Sequence, residues 1–405
     1  MAVPSSVLKV EEIQGRGRGI VASQPLKAGQ IILTDSPILL YPVSPFSPHS
    51  SSFCDHCFKS LQHQSSIVSC PSCHQYRFCN SICLSKALGS SHSTWVCQAL
   101  SQLQTNSVLL QQQLERQLQA RFLIAAYNLA ITAPSNFQIL LSLQGSDDND
   151  DGAQFLHSII SSLFSGSYPR NELFSLQLTS SLLAKDKLNA FGLMHPFSEN
   201  DENRSVRAYG IYPYASFFNH DCLPNACRFD YVDVNPPYHA GGLNNTDFVI
   251  RMIHDVPQGR EICLSYFPVN ENYSSRQKRL LEDYGFACNC DRCNVESNWS
   301  DNESVEGNVE EDDGQEVMVM DDEDEEEEQN ENMEPSDNDN NDFPHAYFFL
   351  KYMCDRTNCW GTLAPLPPQG DALSNVMECN VCGKLKSYDD LNIDDKGQDE
   401  VAMED

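Results

Sequence analysis

The sequence predicts an α+β fold in which short β-rich segments enclose a helical middle block and alternate with cysteine-rich segments. A glycine-rich turn at residues 15–19 precedes the strand-like run Ile31-Ile32-Leu33. An apolar stripe with i, i+4 spacing begins at Leu110, which is typical of a helix. Seventeen cysteines occur in closely spaced groups, which indicates metal-binding units within the fold.

The helical block is predicted from apolar spacing. Its first stripe consists of Leu110, Leu114, Leu118 and Phe122. Two further helical patterns lie within residues 155–184, one of them with Asn171 as the predicted N-cap. A shorter helix is predicted over residues 276–284.

Strand signals return in the second half of the chain, where β-branched and aromatic residues cluster. The predicted strands cover residues 206–212, 246–253 and 261–267. The turn Pro257-Gln258-Gly259 joins the last two of them.

The acidity of the chain is concentrated in one segment. The formal net charge is −31, and residues 301–342 contribute 21 Asp and Glu with no Lys or Arg, which leaves −10 for the rest. A second acidic stretch occupies residues 387–405. Residues 301–342 lack periodicity and aromatic side chains, so we expect them to be disordered, either as an inert linker or as a region that steers a basic substrate. The negative net charge argues against direct binding to nucleic-acid phosphates and permits basic protein partners.

No apolar run approaches the roughly 18 residues of a membrane span, and the first residues have no signal-peptide pattern. We therefore expect a soluble intracellular protein without membrane contact. In a reducing compartment, abundant cysteine points to metal binding rather than to disulfides, and zinc is the expected metal.

Eight potential ligands in residues 54–97 have the spacing of a two-zinc module. They form two CxxC pairs followed by CxxxC and HxxxxC, namely Cys54, Cys57, Cys70, Cys73, Cys79, Cys83, His92 and Cys97. Eight ligands fill two four-coordinate sites and leave no open position for water, as structural zinc requires.

A second set in GFACNCDRC is one ligand short. It offers Cys288, Cys290 and Cys293, and a closed site needs a fourth ligand from elsewhere. The cysteines without a pair of their own are Cys222, Cys227 and Cys263.

A third set near the C-terminus has the spacing of a zinc ribbon. Two paired knuckles stand 19 residues apart and consist of Cys354, Cys359, Cys379 and Cys382. The pattern predicts a metal site but no particular function.

Two blocks resemble the signatures of SET-domain protein lysine methyltransferases. They are YASFFNHDCLPNA at residues 214–226 and GREICLSYF at residues 259–267. GRGRGI at residues 15–20 is similar to the opening block of that family. With the inserted zinc module and the CxCxxC segment, the order over residues 7–293 resembles the SET and MYND family, with plant trithorax-group-type SET proteins as one subgroup to consider.

The resemblance implies a β-rich SET fold with a pseudoknot, split by a MYND-type finger in which ligand pairs alternate between two zincs. It also implies that Cys222 completes the second set, which gives sixteen ligands for four zinc ions. The implied organisation is SET N-terminal part 7–53, MYND-type finger 54–97, helical linker and SET insert 98–204, SET catalytic core 205–267, post-SET 268–295, acidic disordered insert 296–342, zinc-ribbon-like segment 343–386 and acidic tail 387–405.

For the active site, the resemblance implies S-adenosylmethionine as the cofactor and Tyr266 as the catalytic residue. Tyr266 would orient the substrate amine and contact the methyl group through weak CH···O bonds. The residues expected to hold the cofactor are Arg16, Gly17, Arg18, Asn189, Asn219, His220, Tyr266, Tyr284 and Phe286.

The resemblance implies a protein-lysine methyltransferase with histones as the default substrate and non-histone proteins as the alternative. A different class is a catalytically idle scaffold whose finger recruits proline-rich partners. We expect a monomer in the nucleus with a cytoplasmic pool, although the only short basic run, RQKR at residues 276–279, is a weak import signal.

Overall fold

The structure is a computed structural model. The residues that it describes are 5–44, 46, 52–62, 64–145, 151–163, 174–198, 204–234, 236, 242–297, 351–368 and 374–387. Most of the acidic insert, the acidic tail and the predicted cap Asn171 lie outside these residues. No helix in the described ranges is both long and apolar enough to cross a membrane.

The strands are short and fall into three groups along the chain. They are β1 Leu8–Ile13, β2 Gly17–Ala22, β3 Ile31–Asp35, β4 Leu39–Pro42, β5 Val68–Ser69, β6 Arg77–Phe78, β7 Ala190–Met194, β8 Val206–Ile211, β9 Asn219–His220, β10 Ala226–Asp230, β11 Phe248–Met252, β12 Glu261–Leu264, β13 Leu363–Pro365, β14 Val376–Cys379 and β15 Leu385–Ser387.

The helices fill the middle of the chain and follow β12. They are α1 Ser81–Leu88, α2 Thr94–Leu103, α3 Ser107–Leu110, α4 Leu114–Thr132, α5 Pro134–Ser142, α6 Asp151–Leu163, α7 Leu176–Asn189, α8 Tyr273–Arg279 and α9 Asp291–Glu296. A 3₁₀ turn covers Ala215–Phe217 and a π-helical turn covers Leu280–Tyr284.

One four-stranded sheet brings the two ends of the SET-like region together. Its order is β1-β2-β12-β9, and β9 runs parallel to β12. Gly15 lies in the turn between β1 and β2, and Gly17 is the first residue of β2. Both glycines have positive φ, where an L side chain is strained. Distant sequence segments therefore become neighbours at one sheet edge.

Two three-stranded sheets complete this region, in the orders β10-β11-β3 and β4-β8-β7. The predicted strands at 206–212, 246–253 and 261–267 appear as β8, β11 and β12 with shorter bounds. The turn at residues 257–259 does not make a hairpin, because β11 pairs with β10 and β3 while β12 pairs with β2 and β9. The threading of a pseudoknot stays a prediction.

The helical block packs on β4 through a buried core. Tyr41 of β4 contacts Phe122 of α4 edge-on, with ring centroids 5.6 Å apart. The Tyr41 hydroxyl donates a 2.7 Å hydrogen bond to Asp186 of α7 inside this core. The i, i+4 stripe is real but is divided between α3 and α4, because Gln111–Gln113 interrupt the helix.

Some helix boundaries differ from the prediction. The helix α7 begins after Ser175, whose side chain accepts from the Leu178 N–H, so Ser175 is the N-cap of this helix. The predicted cap Asn171 lies outside the described residues. The predicted helix at 276–284 starts earlier, at Tyr273, with Asn272 as its N-cap. The strand β7 follows α7 directly and lies beyond the predicted helical patterns, within the segment 98–204.

The C-terminal ribbon, β13-β14-β15, packs against the β10-β11-β3 sheet. The fully buried Arg251 of β11 pairs with Glu378 of β14 at 2.9 Å. Its guanidinium lies over the Phe229 ring, 3.7 Å from the centroid. Apolar residues from both sides form one cluster, so the ribbon shares a core with the preceding sheets.

Candidate functional site

A cavity of about 470 Å³ opens at the edge of the four-stranded sheet. All the residues expected to hold a cofactor line it, namely Arg16, Gly17, Arg18, Asn189, Asn219, His220, Tyr266, Tyr284 and Phe286. Its volume lies within the range of small-molecule sites, roughly 300–1,000 Å³.

The parallel pairing of β9 with β12 aligns the Asn-His dipeptide with the segment that ends in Tyr266. Asn219 pairs with Cys263, and His220 pairs with Leu264. The Tyr266 N–H donates to His220 Nδ1 at 3.1 Å. Two segments more than 40 residues apart are thus held in one register beside the cavity.

The hydrogen bonds of His220 define its tautomer. Because Nδ1 accepts from the Tyr266 N–H, the ring proton belongs on Nε2, which faces Cys222 Sγ at 3.2 Å. Burial lowers the pKa of His220 to about 3, so the imidazole is neutral. His220 therefore links Tyr266 to Cys222, whose sulfur lies with those of Cys288, Cys290 and Cys293.

Tyr266 points its hydroxyl at the backbone of the preceding turn. The O–H donates to the Phe218 carbonyl at 3.0 Å, and the ring lies 4.8 Å from that of Tyr284, centroid to centroid. Burial, together with the neighbouring Tyr284, raises the pKa of Tyr266. The phenol therefore stays protonated, and its oxygen lone pairs remain free to accept.

The predicted arginines of the glycine-rich turn differ in their partners. Arg16 pairs with Glu261 at 2.6 Å and also donates to the His220 carbonyl. Arg18 donates to the Ser142 carbonyl at 2.8 Å, and its guanidinium lies 4.9 Å from the Phe217 ring centroid. Glu261 was not among the residues expected at the site, although it lies within the GREICLSYF block.

Asn189 ends α7 at the cavity wall. Its amide nitrogen donates to the carbonyls of Gln144 and Lys185, at 2.7 and 2.8 Å. Phe286 is 37% exposed beside the cavity, where its ring can stack on a planar ligand group.

Four groups of ligand atoms converge, with the atoms of each group within 4.8 Å of one another. They coincide with the expected sets, namely Cys54, Cys57, Cys79 and Cys83; Cys70, Cys73, His92 and Cys97; Cys222, Cys288, Cys290 and Cys293; and Cys354, Cys359, Cys379 and Cys382. Three groups of four cysteines and one Cys₃His group fit closed tetrahedral zinc sites. Cys227 and Cys263 belong to none of these groups and are buried.

The third group is braced by a buried arginine. Arg276 of α8 lies 3.2 Å from Cys222 Sγ and pairs with Glu296 of α9 at 2.6 Å. Because Arg276 is fully buried, the basic run at 276–279 is not a continuous surface patch. The residue serves the fold beside the cavity.

Comparison with protein families matches residues 17–267 to the SET domain. The match covers more than half of the chain. The chain belongs to the SET domain family. The family match includes β2, the Asn219-His220 pair and Tyr266 of this SET-domain protein, whereas the cavity residues Arg16, Tyr284 and Phe286 lie outside the matched range.

Its relatives include named enzymes. Histone-lysine N-methyltransferase ASHR2 of Arabidopsis thaliana is 52% identical over 399 residues, covering 95% of this SET-domain chain and 96% of that protein. Histone-lysine N-methyltransferase SMYD3 of Homo sapiens is 25% identical over 306 residues, covering 73% of this chain and 63% of that protein.

Solved structures also align with this SET-domain chain. The SET domain of LSMT bound to lysine and AdoHcy has a TM-score of 0.28 at 16% identity. The alignment covers 71% of this chain and 54% of that chain. This chain therefore spans about half the length of the solved chain.

Proposed function

We propose that this protein is an S-adenosylmethionine-dependent protein-lysine N-methyltransferase that acts on histones. The observation that carries the proposal is the convergence of Asn219, His220 and Tyr266 on one cavity beside the glycine-rich turn. The relative that is 52% identical over 95% of the chain is named a histone-lysine N-methyltransferase. Non-histone proteins are the alternative substrates.

When bound, the cofactor supplies an electrophilic methyl group on a sulfonium sulfur. The residues of this chain align the amine and exclude water. Since the Tyr266 proton is engaged by the Phe218 carbonyl, its oxygen can accept from a lysine N–H and from weak C–H donors. A buried wall also favours the neutral amine, which is the nucleophilic form.

The groups of cysteine and histidine support four zinc ions per chain. The first two form a MYND-type finger, with Cys54–Cys57 and Cys79–Cys83 on one ion and Cys70–Cys73, His92 and Cys97 on the other. The third is a post-SET site and the fourth a ribbon site. None has a position left for water, so all four stabilise the fold without taking part in catalysis.

The finger offers a docking role for a proline-rich peptide. This role rests on the resemblance to MYND-type fingers. Ile82 and Leu88 of α1 are 65% and 40% exposed and are therefore apolar side chains that such a peptide can reach. Titration of a proline-rich peptide against wild type and Ile82→Ser checks this role, and the variant should bind more weakly. Equal affinity for both proteins would mean that α1 does not contact the peptide.

A histone substrate implies a nuclear protein with a cytoplasmic pool, and we expect a monomer. Imaging of a fluorescent fusion and light scattering of the purified protein check these two expectations. A fusion excluded from the nucleus would favour non-histone substrates.

The deciding experiment is incubation with radiolabelled cofactor and core histones. Wild type should label a histone, whereas Tyr266→Phe should lose most of the labelling while binding S-adenosylhomocysteine with similar affinity. Tyr209→Phe, a change outside the cavity, serves as the matched control. Equal labelling by wild type and Tyr266→Phe contradicts the mechanism, and cofactor binding without labelling of any protein favours the idle scaffold.

A further inference from the structure

We propose that Glu261 is a positioning residue that orients the Asn219 amide, so that its carbonyl oxygen receives the ammonium group at the amino-acid end of the cofactor. The inference rests on the proposed function and adds a residue to it. Glu261 lies in β12, between the glycine-rich turn and β9.

The carboxylate of Glu261 divides its two oxygens between two cavity residues. Oε2 accepts from Arg16 Nη1 at 2.6 Å, and Oε1 accepts from Asn219 Nδ2 at 2.8 Å. The side chain is only 14% exposed, so water competes little for either bond. A carboxylate has no N–H to donate, and the amide nitrogen of Asn219 must therefore be the end that faces it.

This orientation leaves the amide oxygen of Asn219 as a hydrogen-bond acceptor for the ligand. Asn219 Oδ1 has no partner among the residues that the structure describes, and Asn219 lines the cavity. The neighbouring His220 carbonyl is already bonded to Arg16. The wall thus presents an amide oxygen as an acceptor, and an ammonium group, which only donates, is its complement.

The same contacts remove a charge that would repel the ligand. The guanidinium of Arg16 is paired with Glu261, which offsets its positive charge beside the amide oxygen. Without Glu261, the amide could rotate and Arg16 would be unpaired next to an incoming ammonium. Both effects weaken recognition of the amino group.

Close packing of β2 holds this arrangement in place. A Cβ added at Gly19 would stand 2.8 Å from both Asn219 Nδ2 and Glu261 Oε1, which is closer than non-bonded atoms allow. Only glycine lets the backbone of β2 approach the two side chains. The strand therefore fixes the separation of Glu261 and Asn219.

The test compares two ligands that differ at the amino-acid end. S-adenosylhomocysteine carries that end, whereas 5′-methylthioadenosine keeps the nucleoside and the sulfur but lacks it. Calorimetry on the full chain should show that Glu261→Ala weakens S-adenosylhomocysteine binding by about 10- to 100-fold. Binding of 5′-methylthioadenosine should change by less than about twofold.

Glu261→Gln is the second variant, and its affinity for S-adenosylhomocysteine should lie between those of wild type and Glu261→Ala. A glutamine offers one acceptor oxygen, so either Arg16 or Asn219 must face its NH₂ group. Glu11→Gln is the matched control, since Glu11 makes an exposed ion pair with Lys9 on the same sheet, and it should bind both ligands as wild type does.

Equal weakening of both ligands by Glu261→Ala would show a general structural role and overturn the inference. Unchanged binding of both would overturn it as well. If the wild-type protein binds neither ligand, the proposed function fails first, so the two failures are distinguishable.

Discussion

Arg251 and Glu378, 127 residues apart in sequence, make a buried 2.9 Å ion pair that joins β11 to the C-terminal ribbon. Arg251 is fully buried, and Glu378 also accepts from the Tyr231 hydroxyl at 3.2 Å. The ribbon therefore closes the outer side of the β10-β11-β3 sheet and is an integral part of the fold.

Removing one partner should leave a buried charge without compensation. We expect Glu378→Ala to lower the free energy of unfolding by about 3–5 kcal/mol, measured by denaturant titration. Lys9→Ala is the control, because it removes a partner from an ion pair whose side chains are 45% and 46% exposed. It should change the free energy of unfolding by less than about 0.5 kcal/mol. Similar losses in the two variants would mean that the buried pair does not hold the ribbon in place.

The fit between the ribbon and the turn before β3 can be measured with two glycines. Gly29 and Gly259 both have positive φ, so alanine is strained at each. A Cβ at Gly29 would lie 2.4 Å from the Leu366 carbonyl oxygen, whereas nothing lies within 4 Å of one at Gly259. Gly29→Ala should therefore lower the thermal midpoint several degrees more than Gly259→Ala. Equal midpoints would mean that residue 366 does not rest on this turn.

Asp186 should make stability depend on pH. It is buried against Tyr41, with Tyr209 as a further neighbour, and burial raises its pKa to about 7. Because the folded-state pKa lies above the ordinary value near 3.8, the protonated form favours folding. Its contribution is complete below about pH 4 and is lost as the pH rises through about 7.

Asp186→Asn removes this titration and keeps an acceptor for the Tyr41 hydroxyl. From pH 4 to pH 8 the wild type should lose stability that the variant keeps. The free energy of unfolding of the variant should therefore rise relative to that of the wild type by up to about 4 kcal/mol over this range. Chemical denaturation across this range measures it. A difference that stays constant with pH would place the pKa of Asp186 near its ordinary value.

Metal content should follow the four ligand groups. Plasma emission spectrometry should give four zinc ions for wild type and three for Cys359→Ala, which breaks the ribbon group. Cys227→Ala is the matched control, since Cys227 is buried but belongs to none of the groups, and it should keep four. Three ions in the wild-type protein would leave one group without metal.

Local patterns anticipated much of the site. Ligand spacing predicted the groups in residues 54–97 and 354–382 that converge in the structure. It left Cys222, Cys227 and Cys263 open as the fourth ligand beside Cys288, and the choice of Cys222 followed from the resemblance to the SET and MYND family. The expected roles of Asn219 and Tyr266 rested on that resemblance as well. The strands β8, β11 and β12 were also predictable, since β-branched and aromatic residues mark them.

Long-range contacts were not predictable. Nothing in the residues around Glu378 indicates Arg251 as its partner, and nothing around Glu261 indicates that it contacts both Arg16 and Asn219. The turn at residues 257–259 was compatible with a hairpin, but pairing of β12 with β2 and β9 prevailed. Such choices depend on which distant strands bury each other, and local propensity carries little of that information.

The late position of the ribbon has a consequence during biosynthesis. The apolar side of β10 and β11, including Phe229 and Val249, is covered by residues of the ranges 352–364 and 377–382, which leave the ribosome more than 100 residues later. Until then the nascent chain exposes this surface, which invites association with chaperones or with other unfinished chains. Messages truncated before the ribbon should therefore yield aggregation-prone protein, even when every residue of the cavity has been translated.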